Sequence, residues 1–300
     1  MRVHLVDGTY ELFRAHFSQR PPKAVRLESG LLDVKATTGL VFSMLTLLAE
    51  RDEAVTHLAI AFDNPIVSFR NDLFDGYKTD EGVPPSLRAQ FDLAELAMKA
   101  LGIVVWSMDR WEADDALATG AVRFAADPSV EQVRIMTPDK DLGQVVQGTK
   151  IVQVDRMRRK LYDEAAVVAA RGVPPASIPD LLGLVGDTSD GIPGLDGFGM
   201  KSAAALLTRW GTIERIPDDP AAWDVKVTGA PRLAATLAEQ REDALLYKKL
   251  ATLVTDVPLK ESLDDLRFQG VPKASFAALA AQLDSNELRT RVPRWRADAS

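Results

Sequence analysis

The sequence predicts an α/β fold, a mostly parallel sheet covered by helices, followed by a helical domain. Three observations carry this. Short β-branched runs recur through the first half, segments with helical apolar spacing lie between them, and the strand signal fades after about residue 165. Strands that alternate with helices favour a parallel sheet, because each crossover helix covers a face of it. The strand runs are VHLV (3–6), HLAIAF (57–62), IVVWS (103–107), VRIMT (133–137) and KIVQV (150–154). VKATTGLVFSMLTLLAE and LRAQFDLAELAMKALG have the apolar spacing of helices packed on such a sheet. Beyond 165, short helical pieces are punctuated by Gly and Pro. The end, RTRVPRWRADAS, is basic and proline-containing and is expected to be mobile. No internal repeat or low-complexity tract interrupts this pattern.

Composition narrows the class. The chain has 300 residues, 46% of them hydrophobic and 26% charged, enough for a sizeable core. No apolar run approaches the ~18 residues that span a bilayer. MRVHLVDG opens the chain as a strand rather than a signal peptide, so a cytoplasmic location is expected. With no cysteine and three scattered histidines, disulfides, thiolate metal sites and zinc centres fall away. A net charge of -7 argues against coating nucleic acid non-specifically but allows local basic surfaces.

Acidic residues fall where the strand runs end. Asp7 follows the first, Asp63 the second, and Asp139 and Asp141 the fourth; WEADD brings Glu112, Asp114 and Asp115 shortly after the third. Open parallel sheets bind ligands beyond the carboxyl ends of their strands, so a single sheet gathers these acids on one rim. Glu112 and Asp115 would share a helical face, and Asp114 has to turn inward. For any one of these acids, helix capping is the simpler explanation. Capping leaves the group unexplained, because crowded carboxylates must take up protons or a counter-charge. Mg²⁺ or Mn²⁺, which take carboxylate oxygens and water, remove the conflict. VGDTSDGIPG adds Asp187 and Asp190. An all-oxygen ligand set for two adjacent ions points to phosphoryl chemistry.

GLDGFGMKSAAALL, from Gly194, approaches a nucleotide-binding P-loop, but Met200 separates the last glycine from Lys201 and Ser202. A glycine hairpin between two short helices fits better. Its amides and the following helix N-terminus can grip a phosphate without reading a base, with charge from Lys201.

Six blocks in order, LVDGTYELFRAHF, AFDNPIVSFRNDLFDGYK, WEADDALAT, MTPDKDLGQVV, GDTSDGIPGLDGFGMKSAAALL and VTDVPL, resemble the 5′→3′ exonuclease and flap endonuclease family. This is the kind of nuclease domain found at the N-terminus of bacterial DNA polymerase I. The resemblance covers about residues 1–260 and suggests a stand-alone member. It implies a PIN/FEN-like sheet domain over 1–164, with an arch or gateway at about 64–100. A SAM-like helical DNA-binding domain over 165–265, with a helix–hairpin–helix at about 180–210, and an extension over 266–300 would follow.

Two divalent ions, Mg²⁺ or Mn²⁺, are implied. One group would be Asp7, Asp63, Glu112, Asp114 and Asp115, the other Asp139, Asp141, Asp187 and Asp190, with Asp114 able to lie between them. Gly194, Gly197 and Gly199 match the hairpin turn, which in such nucleases holds K⁺ at backbone carbonyls and grips the duplex. Arg70 and Lys78 match basic residues that approach the scissile phosphate. Tyr77 is assigned to stacking on a base, with packing as its alternative. Arg14 matches a recurrent position, as phosphate contact or support. The implied substrate is DNA with 5′ ends or 5′ flaps, chosen by shape.

Two departures stand out. Glu81 occupies the position, three after Lys78, where Arg is usual, and would repel an incoming phosphate; Arg88 could compensate. Gly191 stands where Asn commonly follows GDxxD. Two other classes compete. A haloacid-dehalogenase-type phosphatase would need an aspartate where Leu5 stands, and its GDxxxD element is one residue longer than GDTSD. A junction-binding protein without catalysis would keep unmetallated carboxylates that only repel.

Overall fold

The computed structural model describes residues 1–28 and 30–297. β1 (Arg2–Asp7) runs directly into α1 (Gly8–His16), and a hairpin of β2 (Ala24–Leu27) and β3 (Gly30–Asp33) leads to α2 (Lys35–Ala49). β4 (His57–Asp63) is followed by a short 3-10 turn at Phe69–Asp72, then α3 (Pro85–Arg88) and α4 (Phe91–Ala100). β5 (Val104–Met108), α5 (Ala113–Ala125), β6 (Gln132–Met136) and β7 (Ile151–Asp155) continue the alternation. β8 (Lys160–Tyr162) turns back antiparallel on β7. Then come α6 (Glu164–Arg171), α7 (Ile178–Val185), α8 (Met200–Trp210), α9 (Ala230–Glu239) and α10 (Arg241–Ala251). α11 (Lys273–Gln282) and α12 (Glu287–Thr290) close the described chain.

The sheet order is β5-β4-β1-β6-β7-β8, with β1 parallel to both β4 and β6. The chain therefore builds outward on one side of β1 and returns to the other. Such a reversal opens a crevice at the carboxyl ends of the strands. Asp7 and Asp63, the last residues of β1 and β4, stand at this crevice.

Alternation along the strands sorts the core. Leu58, Ile60 and Phe62 of β4 join Val6 of β1 beneath α2 and α4. Ala59 and Ala61 face the other way, with Val3, Leu5, Val133 and Ile135, beneath α5. Both faces are covered, as a parallel sheet requires. α5 meets its face through Ala113, Ala116, Ala118 and Ala121, small side chains that let the helix approach closely. A Cβ on Gly120 would lie 2.7 Å from the Trp106 ring, so that approach is already at its limit. Close packing fixes where the N-terminus of α5, with its acids, must lie. A separate core joins α6 to α10, and Tyr77 and Val146 from the first half reach into it.

Short elements depart from the sequence pattern. β2, β3 and β8 are absent from the predicted set because strands of 4, 4 and 3 residues are too short to show periodicity. The C-terminal end is also tied down where mobility was expected. Leu58 N–H donates to Leu266 O (2.9 Å), and Phe268 N–H to Thr56 O (2.9 Å). Val271 exchanges backbone hydrogen bonds with Arg294 and Arg296, and Trp295 meets Phe276 edge to face at 5.7 Å. Phe276, Leu279, Leu283 and Leu288, which precede the segment expected to be mobile, complete the core under α4, and Trp295 from within that segment packs on Phe276. Residues 298–300 of that end lie outside the described residues. Among the described residues, no helix is long and apolar enough to cross a membrane.

Phe276 is fully buried. Phe276→Ala should cost about 3–5 kcal/mol of unfolding free energy, read from the urea midpoint. An unchanged midpoint would remove the extension from the core.

Candidate metal centre

The acids at the crevice are held by the ends of several elements. Asp7 caps α1: its Oδ1 accepts from Tyr10 N–H (2.8 Å), and its Oδ2 from Thr137 Oγ (2.9 Å). Capping and site placement thus coincide in one residue. Asp63 Oδ1 accepts from Ala113 N–H (2.7 Å), which fastens the end of β4 to the start of α5. Asp114 projects from that first turn and is half-buried. Asp139 is exposed and caps a 3-10 turn at Lys140–Val145, its Oδ1 accepting from Asp141 N–H (2.9 Å).

Burial foremost, then Asp63 and Asp139, push Asp7 up from 3.8 to about 7, against its two hydrogen bonds. Asp114 is raised well above its ordinary range by burial, then by Asp139 and Asp7. Asp139 is thus an electrostatic neighbour of the first group as well as of Asp141.

One carboxylate oxygen each from Asp141, Asp187 and Asp190 lie within 4.8 Å of one another. Asp141 is 5% exposed, and its Oδ1 is buried without a hydrogen-bond partner. A buried acceptor left without a donor is costly, and a hard cation satisfies it. Burial, with Asp139, Asp190 and Asp187 behind it, raises the Asp141 carboxyl well above its ordinary value. The donors are all oxygen, which fits a divalent ion of the Mg²⁺ class.

The surroundings of Asp115, Arg70 and Tyr77 differ from those the sequence suggests. Asp115 is fully buried and forms a two-pronged pair with Arg70 (2.7 and 2.8 Å). Its oxygens also accept from Glu112 N–H (3.0 Å) and Val254 N–H (2.9 Å). Arg70, expected at the scissile phosphate, is 1% exposed. Beyond Asp115 it meets Leu250 O (2.7 Å), Thr252 O (3.0 Å) and Glu112 (3.1 Å), which occupies the whole guanidinium fork. Tyr77 is buried in the helical core rather than free to stack. Its hydroxyl lies 3.3 Å from Glu112 and 3.5 Å from Asp190.

Glu112 is held by its surroundings. Oε1 accepts from Ser68 Oγ (2.7 Å), and Oε2 pairs with Lys78 (2.8 Å). Burial would raise its carboxyl, but Lys78 and Arg70 outweigh burial and hold it at about 2. Lys78 also reaches Asp190 (2.9 Å), so one ammonium spans both sides of the crevice. Backbone contacts fix it there: Lys78 N–H donates to Asp190 O (3.0 Å), and Asn71 Nδ2 to Lys78 O (3.0 Å). Gly191 lies under this loop at φ 74, and a Cβ there would run into Gly76 O. Its place in the sequence pattern therefore follows from a backbone-to-backbone approach.

The glycine turn lies between α7 and α8. Gly194, at φ 70, presses against the backbone of Val185 and Gly186; Gly197, at φ 83, lies beside Arg232. Gly199 is extended, caps α8 and has open space in front of it. Lys201 is exposed in the first turn of α8, which carries no acid. Arg14, at the end of α1, pairs with Glu11 and donates to Ser43 (2.9 Å). Glu81 is exposed, and Arg88 packs over Phe91 and donates to Asn64 (3.2 Å). Sequence reasoning missed Ser68, Thr137, Lys140 and Gln144. Only Lys140, enclosed by Asp139 and Asp141, carried a readable signal.

Residues 2–172 match the 5′-3′ exonuclease, N-terminal resolvase-like domain, and residues 173–274 the 5′-3′ exonuclease, C-terminal SAM fold. DNA polymerase I of Bacillus caldotenax is 34% identical over 288 residues, covering 94% of this chain and 31% of the relative. That of Mycobacterium tuberculosis is 33% identical over 292 residues, covering 96% and 31%. The chain spans about a third of the length of the curated relatives it matches. Among solved structures, T5 5′-exonuclease with bound zinc superposes with a TM-score of 0.65 at 16% identity, over 94% of this chain and 98% of that one. T5 D15 flap endonuclease with DNA and metal ions gives 0.63 at 17% identity, over 97% and 100%. These likenesses establish a shared fold, and the two domain matches, which meet end to end across the chain, establish that it belongs to the 5′-3′ exonuclease family.

Proposed function

We propose that the chain hydrolyses DNA phosphodiesters, as a 5′→3′ exonuclease and a 5′-flap endonuclease that depends on Mg²⁺ or Mn²⁺. The observation that carries this reading is the convergence of Asp141, Asp187 and Asp190 around a buried oxygen without a donor. These three would hold one ion, and Asp7, Asp63, Asp114 and Asp139 the other. When bound, two such ions acidify the attacking water and offset charge on the phosphate oxygens. Glu112 stays out of both sets while Lys78 neutralises it.

Lys78 adds positive charge at the crevice mouth, where an incoming phosphate would meet it. The open N-terminus of α8 at Gly199, with Lys201, suits a backbone phosphate of the duplex. A K⁺ ion at carbonyls of the Gly194–Gly199 turn belongs to the same reading. So do a sheet domain over 1–164, a DNA-gripping helical domain over 165–265 and an extension over 266–300. The exposed residues 79–82 offer an edge for the free 5′ strand. A cytoplasmic location belongs to the same reading.

Cleavage of 5′-flap, 3′-flap and blunt duplexes, with Mg²⁺ or with chelator, tests the reading. It expects metal-dependent cutting of the 5′-flap; preference for the 3′-flap, or binding without cutting in Mn²⁺, would refute it. Asp141→Asn should lower turnover by roughly a hundredfold or more while sparing the fold, since it removes a buried like charge. Arg70→Ala should behave in the opposite way. It strands the buried Asp115 carboxylate, so a loss of about 3–5 kcal/mol in unfolding free energy is expected.

Metal-free stability should depend on pH. A carboxyl with a raised folded pKa holds its proton more tightly folded than unfolded. Its contribution therefore declines as pH rises from 3.8 through about 7, the window set by Asp7. In chelator, the melting temperature should fall over this range, and saturating Mg²⁺ should flatten the slope. Equal slopes with and without Mg²⁺ would dissociate these acids from metal.

A further inference from the structure

Asp187 has a partner of its own before any ion arrives. Lys140 Nζ lies 2.6 Å from Asp187 Oδ2, and Lys140 makes no other ion pair among the described residues. Its backbone is fixed between Asp139 and Asp141, where Asp139 caps the turn that Lys140 begins. The two lysines at this acidic group differ in freedom. Lys78 is anchored by two carboxylates and by its own backbone. Lys140 has one carboxylate and a side chain 35% exposed, against 4% for Asp187, so its head has a path to water.

We propose that Lys140 is a tethered counter-ion of the Asp141–Asp187–Asp190 group: it holds Asp187 until a divalent ion takes the carboxylate, and it must be displaced for that ion to bind. The inference rests on the reading of these three acids as ligands. An ammonium on a flexible stem neutralises Asp187 without satisfying Asp141 Oδ1, which keeps the group folded yet leaves it receptive to an ion. The same ammonium competes with that ion for Asp187. Lys140 therefore exchanges affinity for metal against stability without metal.

The test is calorimetric titration of Mn²⁺ into the chelator-stripped full chain, with thermal melts in chelator and in saturating Mn²⁺. Lys140→Met and Lys140→Gln should raise one Mn²⁺ association constant roughly tenfold, because a nearby like charge is gone. Their melting temperature should fall in chelator and recover in Mn²⁺. Lys140→Arg, which keeps the charge, should bind Mn²⁺ as the wild type does. Unchanged or weaker Mn²⁺ binding in both neutral variants overturns the proposal. If KM for DNA rises while Mn²⁺ binding stays constant, Lys140 serves the phosphate instead, and the proposal fails. Wild-type protein that binds no Mn²⁺ would remove the metal reading itself, and this inference with it.

Discussion

Two carboxylates about 4 Å apart repel by about 4 kcal/mol at the effective dielectric of a protein surface. A whole domain is stable by only about 5–15 kcal/mol, so a crevice that gathers several acids needs compensation built in. Three kinds are present. Burial and acidic neighbours push the Asp7 carboxyl up to about 7, which favours its protonated form, lysine ammonium groups sit against Glu112, Asp190 and Asp187, and backbone amides donate to Asp7, Asp63 and Asp139. None of these donors reaches Asp141 Oδ1. The rigid sheet and the close packing of α5 keep the acids from relaxing apart.

The acids divide into two kinds by their partners. Asp115 spends its oxygens on Arg70 and on two backbone amides, and in doing so joins three distant pieces of chain. Arg70 fastens Leu250 and Thr252, where the chain leaves α10. Gln144 grips the same stretch from the other acidic group, through Ala251 O and Leu253 N–H (both 3.0 Å). Helical region and crevice are thereby held in register by side chains that need not touch substrate. A buried ion pair of this kind contributes little net stability, but losing one partner is expensive.

What the sequence discloses is what the backbone determines. Asp7 and Asp63 end strands, and the strand runs were readable because VHLV and HLAIAF alternate between two faces. Asp187 and Asp190 were readable from their spacing. Partnership was not. Whether Asp115 faces an ion or a guanidinium depends on carbonyls of Leu250 and Thr252, 180 and 182 residues from Arg70. Tyr77 could not be assigned from GYK alone, because its environment is a core made by helices far along the chain. Gln144 gave no signal, since nothing in QVV shows that the end of α10 and the loop after it will pass beside it.

The contact between Gly191 and Gly76 extends beyond its own loop. Two main chains approach so closely that position 191 has no room for any side chain, whatever its polarity. Saturation mutagenesis would therefore score this site as intolerant although it carries no reacting atom. Tolerance would return only with a rebuilt turn around residue 76, so the two loops must drift as a linked unit.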